Sequence, residues 1–311
     1  MPNIKELSTR PERLTSGHRL CPGCGASIAV RQILMATEDP VVVGAATGCL
    51  EVATTIYPFT AWNTPFIHNA FENVAATISG SETAFRALQK SGKISKDKQI
   101  KFIAFGGDGG TYDIGLQSLS GALERGHNFV YVCYDNEAYM NTGIQRSGAT
   151  PMCASTTTAP SGKASLGKPQ FRKDLTQIAV AHNIPYAAQG TIAYWSDLVR
   201  KAEKAFSVDG PAFLNVLSPC YRGWRFDQEK TVEVSKLAVD TCFWPLYEVV
   251  NGEYKLSRKP KQKLPITEWL KAQGRFKHLF SPTEQTEAIE QIQKEVDARW
   301  QKVLKLCGEA E

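Results

Sequence analysis

The chain has 311 residues, of which 42% are hydrophobic and 22% charged. This composition fits a globular protein of one large domain or two and excludes disordered and fibrous classes. The 36 basic and 31 acidic residues leave a net charge of +5, too evenly mixed to predict nucleic-acid binding. Residues 1–13 lack the apolar core of a signal peptide, and no apolar run reaches the roughly 18 residues of a membrane span. We therefore expect a cytoplasmic protein.

Helices and strands are predicted to alternate along most of the chain. A polar, irregular arm at 2–17 precedes them. The predicted elements are a helix at 26–36, a strand at 41–43, a helix at 71–88, a strand at 100–105, a helix at 114–123, a strand at 129–134, a helix at 174–182, a strand near Tyr186, a helix at 196–206 and a strand at 213–217. Such alternation predicts an α/β fold, a parallel sheet with helices on both faces.

Two segments do not follow this alternation. Residues 143–169 are rich in Ser, Thr, Gly, Pro and Ala, so we expect them to build no core and to cover an active site. The segment after Cys220 reads as a tail rather than more sheet, and Lys255–Lys263 carries five basic residues. A solvated surface is the simpler interpretation of that basic cluster, and docking of an acidic protein partner is the alternative.

The chain is predicted to close with a helical extension. Ser281-Pro-Thr-Glu284 has the pattern of a capping box with proline at the first helical position, which predicts the start of a helix. The residues after it, 288–304, carry one apolar stripe that we expect to face the core. The predicted organisation is an arm at 1–24, a cofactor domain at 25–225 and a C-terminal extension at 226–311.

A glycine-rich turn, Gly106–Gly110, follows one of the predicted strands and precedes a helix. Open parallel sheets bind ligands at such turns. The dinucleotide motif G-x-G-x-x-G fails because Tyr112 occupies its third glycine position, and the chain has no G-K-[ST] phosphate loop. What remains is Asp108, which could hold a hard cation such as Mg²⁺ while Gly107 and Gly109 let the backbone approach a phosphate.

Asn136 directly follows the next strand, so its side chain and that of Asp108 are expected to converge at one sheet edge. With a backbone carbonyl of the same turn and two diphosphate oxygens, they would complete an octahedron around Mg²⁺. A Gly-Asp-Gly turn with an asparagine after the next strand is the signature of thiamine diphosphate enzymes. Ordinary turn chemistry of Asp and Asn is the alternative.

Four of the eight cysteines have positions that suggest a metal site, because disulfides are rare in a reducing compartment. Cys21 and Cys24 form a C-x-x-C pair, and Cys49 and Cys220 each follow a predicted strand. Gathered at one sheet edge, these thiolates could hold an iron–sulfur cluster, with structural zinc as the alternative. The others are predicted to be free thiols: Cys133, Cys153, Cys242 and Cys307.

These motifs together resemble the beta subunit of 2-oxoacid:ferredoxin oxidoreductases, closest to the pyruvate branch. The resemblance runs nearly end to end. Its strongest segments are Gly17–Gly25, Ala46–Glu51, Ile67–Asn73, Phe105–Asp113 and Asp135–Gly143, with Ser218–Cys220 and Trp244–Glu248 downstream.

The resemblance implies three cofactors: thiamine diphosphate, Mg²⁺ and a 4Fe-4S cluster. It implies cluster ligation by Cys21, Cys24, Cys49 and Cys220, and binding of Mg²⁺ by Asp108, Asn136 and the Ala138 carbonyl. Related single-chain enzymes carry threonine where Asn136 stands, and either side-chain oxygen can serve. Asn141 and Cys49 are the implied catalytic residues. The implied cofactor-binding residues are Gly48, Cys49, Gly107, Asp108, Gly109, Asn136, Ala138, Met140 and Asn141.

The implied reaction is the oxidative decarboxylation of a small 2-oxoacid, with pyruvate favoured, coenzyme A as acyl acceptor and ferredoxin as electron acceptor. The implied partners are alpha-, gamma- and delta-type subunits, of which the pyrimidine-binding chain supplies a glutamate that activates thiamine. The chain alone is therefore expected to be inactive. Its own candidates, Glu51, Glu72 and Glu137, are expected to be solvated or structural.

Three alternatives stay open at this point. The chain could be an oxalate oxidoreductase beta subunit, which yields carbon dioxide without coenzyme A. It could be a zinc-stabilised scaffold subunit with no cofactor chemistry of its own. It could also be a non-redox thiamine decarboxylase or synthase, for which the four placed cysteines would have no purpose.

Overall fold

Helices and strands alternate through most of the chain in the computed structural model, which describes residues 3–309. The strands of this part are β1 (Val41–Ala46), β2 (Phe66–Asn69), β3 (Lys101–Gly107), β4 (Val130–Asp135), β5 (Ser161–Gly162), β6 (Ser165–Leu166), β7 (Tyr186–Thr191), β8 (Ala212–Leu217), β9 (Leu246–Val250) and β10 (Glu253–Arg258). Its α-helices are α1 (Ile4–Leu7), α2 (Gly25–Leu34), α3 (Cys49–Thr54), α4 (Val74–Lys90), α5 (Leu116–Glu124), α6 (Leu175–Val180), α7 (Trp195–Ser207), α8 (Tyr221–Trp224), α9 (Thr231–Asp240), α10 (Ile266–Lys271) and α11 (Thr286–Leu306). The predicted α/β alternation is confirmed.

Eight strands form one sheet in the order β10-β9-β7-β8-β4-β3-β1-β2. The six strands from β7 to β2 run parallel to one another, whereas β9 pairs antiparallel with β7 and β10 antiparallel with β9. Strands β4 and β8 are buried along their whole length, as their nearly continuous apolar sequences predict for strands covered on both faces.

The core lies on both faces of the sheet. On one face α2 and α7 pack against the strands, and on the other α4, α5 and α6 do so. Neighbouring residues of β4 divide between these two cores: Val132 and Tyr134 belong to the first, and Tyr131 and Cys133 to the second. This division is what the alternating side-chain directions of a strand produce.

The C-terminal segment corrects one expectation, because it adds two strands to the sheet. Strands β9 and β10 pair through Val250 and Glu253 on either side of Asn251-Gly252, both of which have positive φ angles, 48° and 86°. Two positive φ angles in a two-residue turn favour Asn-Gly and join antiparallel strands tightly. The segment after Cys220 is therefore partly sheet, and the predicted division at 25–225 and 226–311 stays a prediction.

Two smaller expectations were also wrong. The arm contains the helix α1, and its Leu7 and Leu14 are buried in the core. Helix α11 begins at Thr286 rather than at the predicted capping box, because the chain still turns there and the Gln285 N–H donates to the Leu279 carbonyl (2.9 Å). The predicted apolar stripe of α11 is buried, as expected.

The segment 143–169 also differs from its prediction, because it does build core. Cys153 and Ala154 pack among the tryptophans of the C-terminal region, and Ser147, Ala149 and Thr150 are fully buried. Small side chains can be buried where hydroxyl groups satisfy the backbone: the Thr150 hydroxyl donates to the Glu137 carbonyl (2.6 Å).

Within 3–309, no helix is both long enough and apolar enough to cross a membrane.

Candidate active site

Four adjacent strands, β8, β4, β3 and β1, bring the candidate residues to one edge of the sheet. Since these strands are parallel, their carboxyl ends lie side by side. The residues just beyond those ends are Cys220, Asn136, Asp108 and Cys49. The sequence-based expectation that these residues share one edge agrees with this arrangement, which is also where open α/β sheets bind ligands.

Asp108 is a fully buried carboxylate without a cationic partner among the described residues. Its oxygens accept hydrogen bonds from the Asn136 backbone N–H (3.2 Å) and from the Ser147 hydroxyl. Burial, followed by the nearby charge of Asp135, raises the pKa of Asp108 well above its ordinary value. A bound cation would offset both effects, because it stabilises the ionised form.

Asn136 and the Ala138 carbonyl lie against the same carboxylate. In one orientation of the amide, its nitrogen donates to Asp108 Oδ1 and to the Ala138 carbonyl oxygen, each at 2.9 Å. In the other orientation the amide oxygen lies 2.9 Å from each of those two oxygens. Oxygen ligands at right angles, each about 2.0–2.1 Å from Mg²⁺, are about 3 Å apart. The three groups therefore fit neighbouring corners of a magnesium octahedron.

The glycine turn lies at the wall of a pocket beside this oxygen cluster. A Cβ atom added to Gly109 would lie 2.4 Å from the Tyr139 ring, so only glycine fits there. The backbone continues from this turn into a π-helical segment, Gly109–Ile114, a type of irregularity that is frequent at functional sites. The pocket is lined by most of the predicted cofactor-binding residues: Gly48, Cys49, Gly107, Gly109, Asn136, Ala138, Met140 and Asn141.

Cys49 and Asn141 meet in this pocket. Burial, followed by the charges of Cys220 and Cys24, raises the pKa of the Cys49 thiol to about 12, and a hydrogen bond with the Asn141 side chain opposes that rise. The two predicted catalytic residues are therefore in contact, on elements that follow different strands of the sheet.

The segments that carry Cys24 and Cys220 are packed directly together. The Gly25 N–H donates to the Pro219 carbonyl (3.3 Å), and a Cβ atom on Gly25 would lie 2.7 Å from the carbonyl carbon of Ser218. This close approach explains the glycine that follows the C-x-x-C pair. The Cys220 sulfur in turn accepts a hydrogen bond from the Gly223 N–H (3.4 Å).

Three of the four candidate cluster cysteines, Cys24, Cys49 and Cys220, have raised pKa values, mainly because they are buried. Burial raises the pKa of Cys24 to about 11, and the charges of Cys220 and Cys21 raise it further. Burial is also the main reason why the pKa of Cys220 is raised. Thiols of this kind are neutral near pH 7 unless a metal centre binds them as thiolates, and they then release protons.

The candidate cluster cysteines do not form a ready-made site for one metal ion. In the described part of the chain, no group of three or more His, Cys, Asp or Glu side chains is close enough together to hold one metal ion. Structural zinc needs four ligands around one ion, whereas the four thiolates of a 4Fe-4S cluster each bind a different iron and stand further apart. Elsewhere, Cys133, Cys153 and Cys242 are buried in apolar cores, and Cys307 is half-buried.

A buried ionic network that the sequence analysis missed supports the strand ends. Asp135 and Glu137 flank Asn136, and both are completely buried. Arg172 donates to Asp135 (2.5 Å) and to Glu137 (2.7 Å), and Arg275 donates to the second oxygen of Glu137. Two acidic residues at the end of a buried strand indicate that buried cations lie nearby. Nothing in the sequence, however, identifies Arg172 and Arg275 as those cations, because both are distant along the chain.

The glutamates considered as activating groups are placed as structural or surface residues. Glu137 belongs to the ionic network, and Glu51 accepts a hydrogen bond or ion pair from His68 (2.6 Å) and a hydrogen bond from Thr55 (2.7 Å). Glu72 is exposed. These placements agree with the expectation for all three residues.

The loop 143–169 supports the site from inside instead of covering it. The walls of the pocket come from residues 47–142, whereas Ser147 contacts Asp108 from the protein interior. Lys168 reaches the same region and donates to the Thr150 carbonyl (2.6 Å). The expectation of an active-site cover is therefore not met in this structure.

The chain is similar to proteins of known type over nearly its whole length. Residues 46–216 match the family described as thiamine pyrophosphate enzyme, C-terminal TPP binding domain. Pyruvate synthase subunit PorB of Thermotoga maritima is 57% identical over 98% of this chain and 96% of its own length. The protein of the same name from Methanocaldococcus jannaschii is 52% identical over 93% and 96%, respectively.

Two further comparisons extend the range of relatives. Ketoisovalerate oxidoreductase subunit VorB of Pyrococcus furiosus is 43% identical over 98% of this chain and 97% of its own length. A solved structure of 2-oxoglutarate:ferredoxin oxidoreductase from Magnetococcus marinus shares the fold, with a TM-score of 0.55 and 19% identity over 76% of this chain and 81% of that one.

Proposed function

Because the chain belongs to the beta subunits of 2-oxoacid:ferredoxin oxidoreductases, we propose that it holds both thiamine diphosphate with Mg²⁺ and one 4Fe-4S cluster. The observation that carries this proposal is the convergence of four neighbouring strand ends. They bring Cys49 and two members of the Asp108 oxygen cluster, Asn136 and Ala138, to the lining of one pocket. A cofactor bound there would contact a cluster ligand directly.

The diphosphate end of the proposed site is built from the oxygen cluster and the glycine turn. Asp108, Asn136 and the Ala138 carbonyl would hold Mg²⁺, and the backbone at Gly107 and Gly109 would accept the diphosphate. The cation would neutralise the buried Asp108 carboxylate, whose pKa is raised in its absence. When bound, thiamine diphosphate supplies an electron sink for the decarboxylation of a 2-oxoacid.

The cluster end of the proposed site is built from Cys21, Cys24, Cys49 and Cys220. The backbone N–H groups near Cys24 and Cys220 donate toward their sulfurs, which stabilises the thiolate form. Asn141 is the polar side chain that touches both the pocket and Cys49. We propose that the Asn141 side chain orients the reacting groups of cofactor and substrate beside the cluster, which is the first electron acceptor.

We propose pyruvate as the substrate, coenzyme A as the acyl acceptor and ferredoxin as the final electron acceptor. The relatives at 57% and 52% identity carry the name pyruvate synthase, and the ketoisovalerate relative is less similar, at 43%. The missing activating glutamate and the electron path to ferredoxin would come from other subunits of the same enzyme. We expect the assembly to reside in the cytoplasm.

The proposed substrate can be tested by measuring steady-state rates of ferredoxin reduction by the assembled enzyme with one 2-oxoacid at a time. We expect ferredoxin reduction to be fastest with pyruvate and to depend on coenzyme A, and slower with the branched 2-ketoisovalerate. Turnover of oxalate without coenzyme A, at a rate above that of pyruvate, would instead support the oxalate enzyme.

A cysteine variant separates the redox function from a non-redox thiamine enzyme. Cys49→Ser should abolish nearly all electron transfer to ferredoxin, whereas Cys307→Ser, a half-buried thiol outside the site, should leave turnover unchanged. Unchanged ferredoxin reduction by Cys49→Ser would contradict the proposed cluster.

A further inference from the structure

Tyr134 of β4 has a buried hydroxyl group that no described residue satisfies. Its side chain is 1% exposed and lines the cofactor pocket; the Leu50 backbone N–H points toward its hydroxyl oxygen, but its O–H proton has no acceptor within 3–309. Buried tyrosine hydroxyls nearly always have a partner, and an orphan usually indicates a missing ligand or water. The other strand tyrosines of comparable burial have one: Tyr131 contacts the Thr111 hydroxyl (3.1 Å), and Tyr186 donates to Glu248 (2.8 Å).

Two glycines keep the space around this hydroxyl open. A Cβ atom on Gly48 would lie 2.8 Å from the Tyr134 oxygen, and one on Gly107 would lie 3.3 Å from it. The phenol therefore reaches between the ends of β1 and β3, where these two predicted cofactor-binding residues form the pocket wall. Any side chain at Gly48 would displace the hydroxyl from that position.

The phenol is a hydrogen-bond donor throughout the physiological pH range. A tyrosine hydroxyl ordinarily loses its proton only at about pH 10, so this buried phenol carries its O–H at physiological pH. A neutral phenol in an apolar setting carries one O–H that must either donate or remain unsatisfied, and leaving it unsatisfied destabilises the protein. The strongest partner for such a donor is an anionic oxygen.

We propose that the Tyr134 hydroxyl donates a hydrogen bond to the diphosphate of bound thiamine diphosphate and so positions the cofactor between Gly107 and Cys49. This inference rests on the proposed cofactor site and adds a residue to it. Tyr134 acts as a positioning residue: it takes no proton during the reaction and ligates no metal.

The test compares Tyr134→Phe with Tyr186→Phe in enzyme assembled with its partner subunits and depleted of thiamine diphosphate. Titration with thiamine diphosphate in saturating Mg²⁺, followed by calorimetry, gives Kd. We expect Tyr134→Phe to raise Kd about tenfold or more, equivalent to at least about 1.4 kcal/mol. Tyr186→Phe, which removes a satisfied hydroxyl from a strand outside the pocket, should leave Kd unchanged.

A stability measurement shows whether the hydroxyl serves the ligand or the fold. Without cofactor, Tyr134→Phe should unfold at the same temperature as the full-length wild-type chain or slightly higher, because the variant removes a buried group that has no partner. Tyr186→Phe should unfold at a lower temperature, because it breaks an internal hydrogen bond.

Three results would overturn the inference. One is that Tyr134→Phe leaves the Kd of thiamine diphosphate unchanged. This includes the case in which the substitution raises only the KM for the 2-oxoacid. Another is an equal loss of affinity in Tyr186→Phe. The third is a marked loss of cofactor-free stability in Tyr134→Phe. If the wild-type enzyme itself fails to bind thiamine diphosphate, the proposed function fails instead.

Discussion

At the scale of single residues, Asp108 links the fold to the proposed chemistry. Its carboxylate is fully buried and hydrogen-bonded to Asn136 and Ser147, yet in the described chain it pairs with no cation. The neighbouring acids Asp135 and Glu137 are matched by arginines. An unmatched buried carboxylate destabilises a protein, so we interpret its retention as the requirement of a cation site.

Asp108→Asn tests this interpretation. The amide has nearly the same size but no charge, so we expect the affinity for thiamine diphosphate with Mg²⁺ to fall by about a hundredfold or more. The cofactor-free chain should be as stable as the wild type or more stable, because the buried charge is gone. Calorimetric titration and thermal unfolding measure the two effects. Asp97→Asn, on the exposed surface, should change neither.

At the scale of elements, the sequence predicted the strands that carry the site because their signals are local. Continuous apolar runs marked β3, β4 and β8, and Asp108, Asn136 and Cys220 lie within three residues after their ends. The hairpin of β9 and β10 also had a local signal, the Asn251-Gly252 pair, but the surrounding charges hid it.

What could not be predicted depends on contacts between distant parts of the chain. The long loop is buried because its hydroxyls bond buried backbone groups, as Thr150 does with the Glu137 carbonyl, and its polar composition suggests the opposite. The pairing of Arg172 and Arg275 with Glu137 spans 35 and 138 residues. The unmatched hydroxyl of Tyr134 is visible only after its neighbours in space are known.

Lys168 gives the loop a pH-dependent contribution to stability. Burial, followed by the charge of Arg172, lowers its pKa to about 8 from 10.5. Between these values the unfolded chain binds more protons at this lysine than the folded chain, so its contribution to stability increases as pH rises from about 8 to 10. Below pH 8 the contribution is constant.

The matched variant for this effect is Lys168→Met. The free energy of unfolding of the wild type, measured relative to that of the variant by denaturant titration, should rise from pH 8 to pH 10. Lys163→Met, in an exposed part of the same loop, should track the wild type. A pH-independent difference for Lys168→Met would contradict the prediction.

The C-terminal extension is expected to be essential for folding, although the sequence suggests a separate cofactor domain at 25–225. Helices α9 to α11 bury Trp224 and Trp269, and β9 covers the edge of β7. A chain that ends at residue 225 should therefore aggregate, because it exposes that strand edge and an apolar face. Soluble expression with cooperative thermal unfolding of the truncated chain would show that the boundary is real.

At the scale of the whole molecule, we propose that the site is one half of a cofactor site. Among Glu51, Glu72 and Glu137, the first and last are held by His68 and by two arginines, and Glu72 is exposed. None of the three is placed to activate the cofactor from within the pocket. We therefore expect a partner chain, packed against the carboxyl ends of the strands, to supply the activating carboxylate.

We expect the isolated chain, reconstituted with thiamine diphosphate, Mg²⁺, iron and sulfide, to show no oxidation of pyruvate above background. Adding the partner subunits should restore the activity, measured as reduction of ferredoxin or of an artificial electron acceptor. Measurable turnover by the isolated chain would mean that one of its own carboxylates performs the activating role.

The presence of a redox cluster on Cys21, Cys24, Cys49 and Cys220 is the central claim, and electron paramagnetic resonance tests it most directly. The full-length chain, reconstituted anaerobically, should contain about four irons, absorb visible light that dithionite bleaches, and give the spectrum of one reduced 4Fe-4S cluster when reduced. Cys49→Ser should lose or alter that spectrum, and Cys307→Ser should keep it. A colourless chain with stoichiometric zinc and no paramagnetic signal would contradict the account.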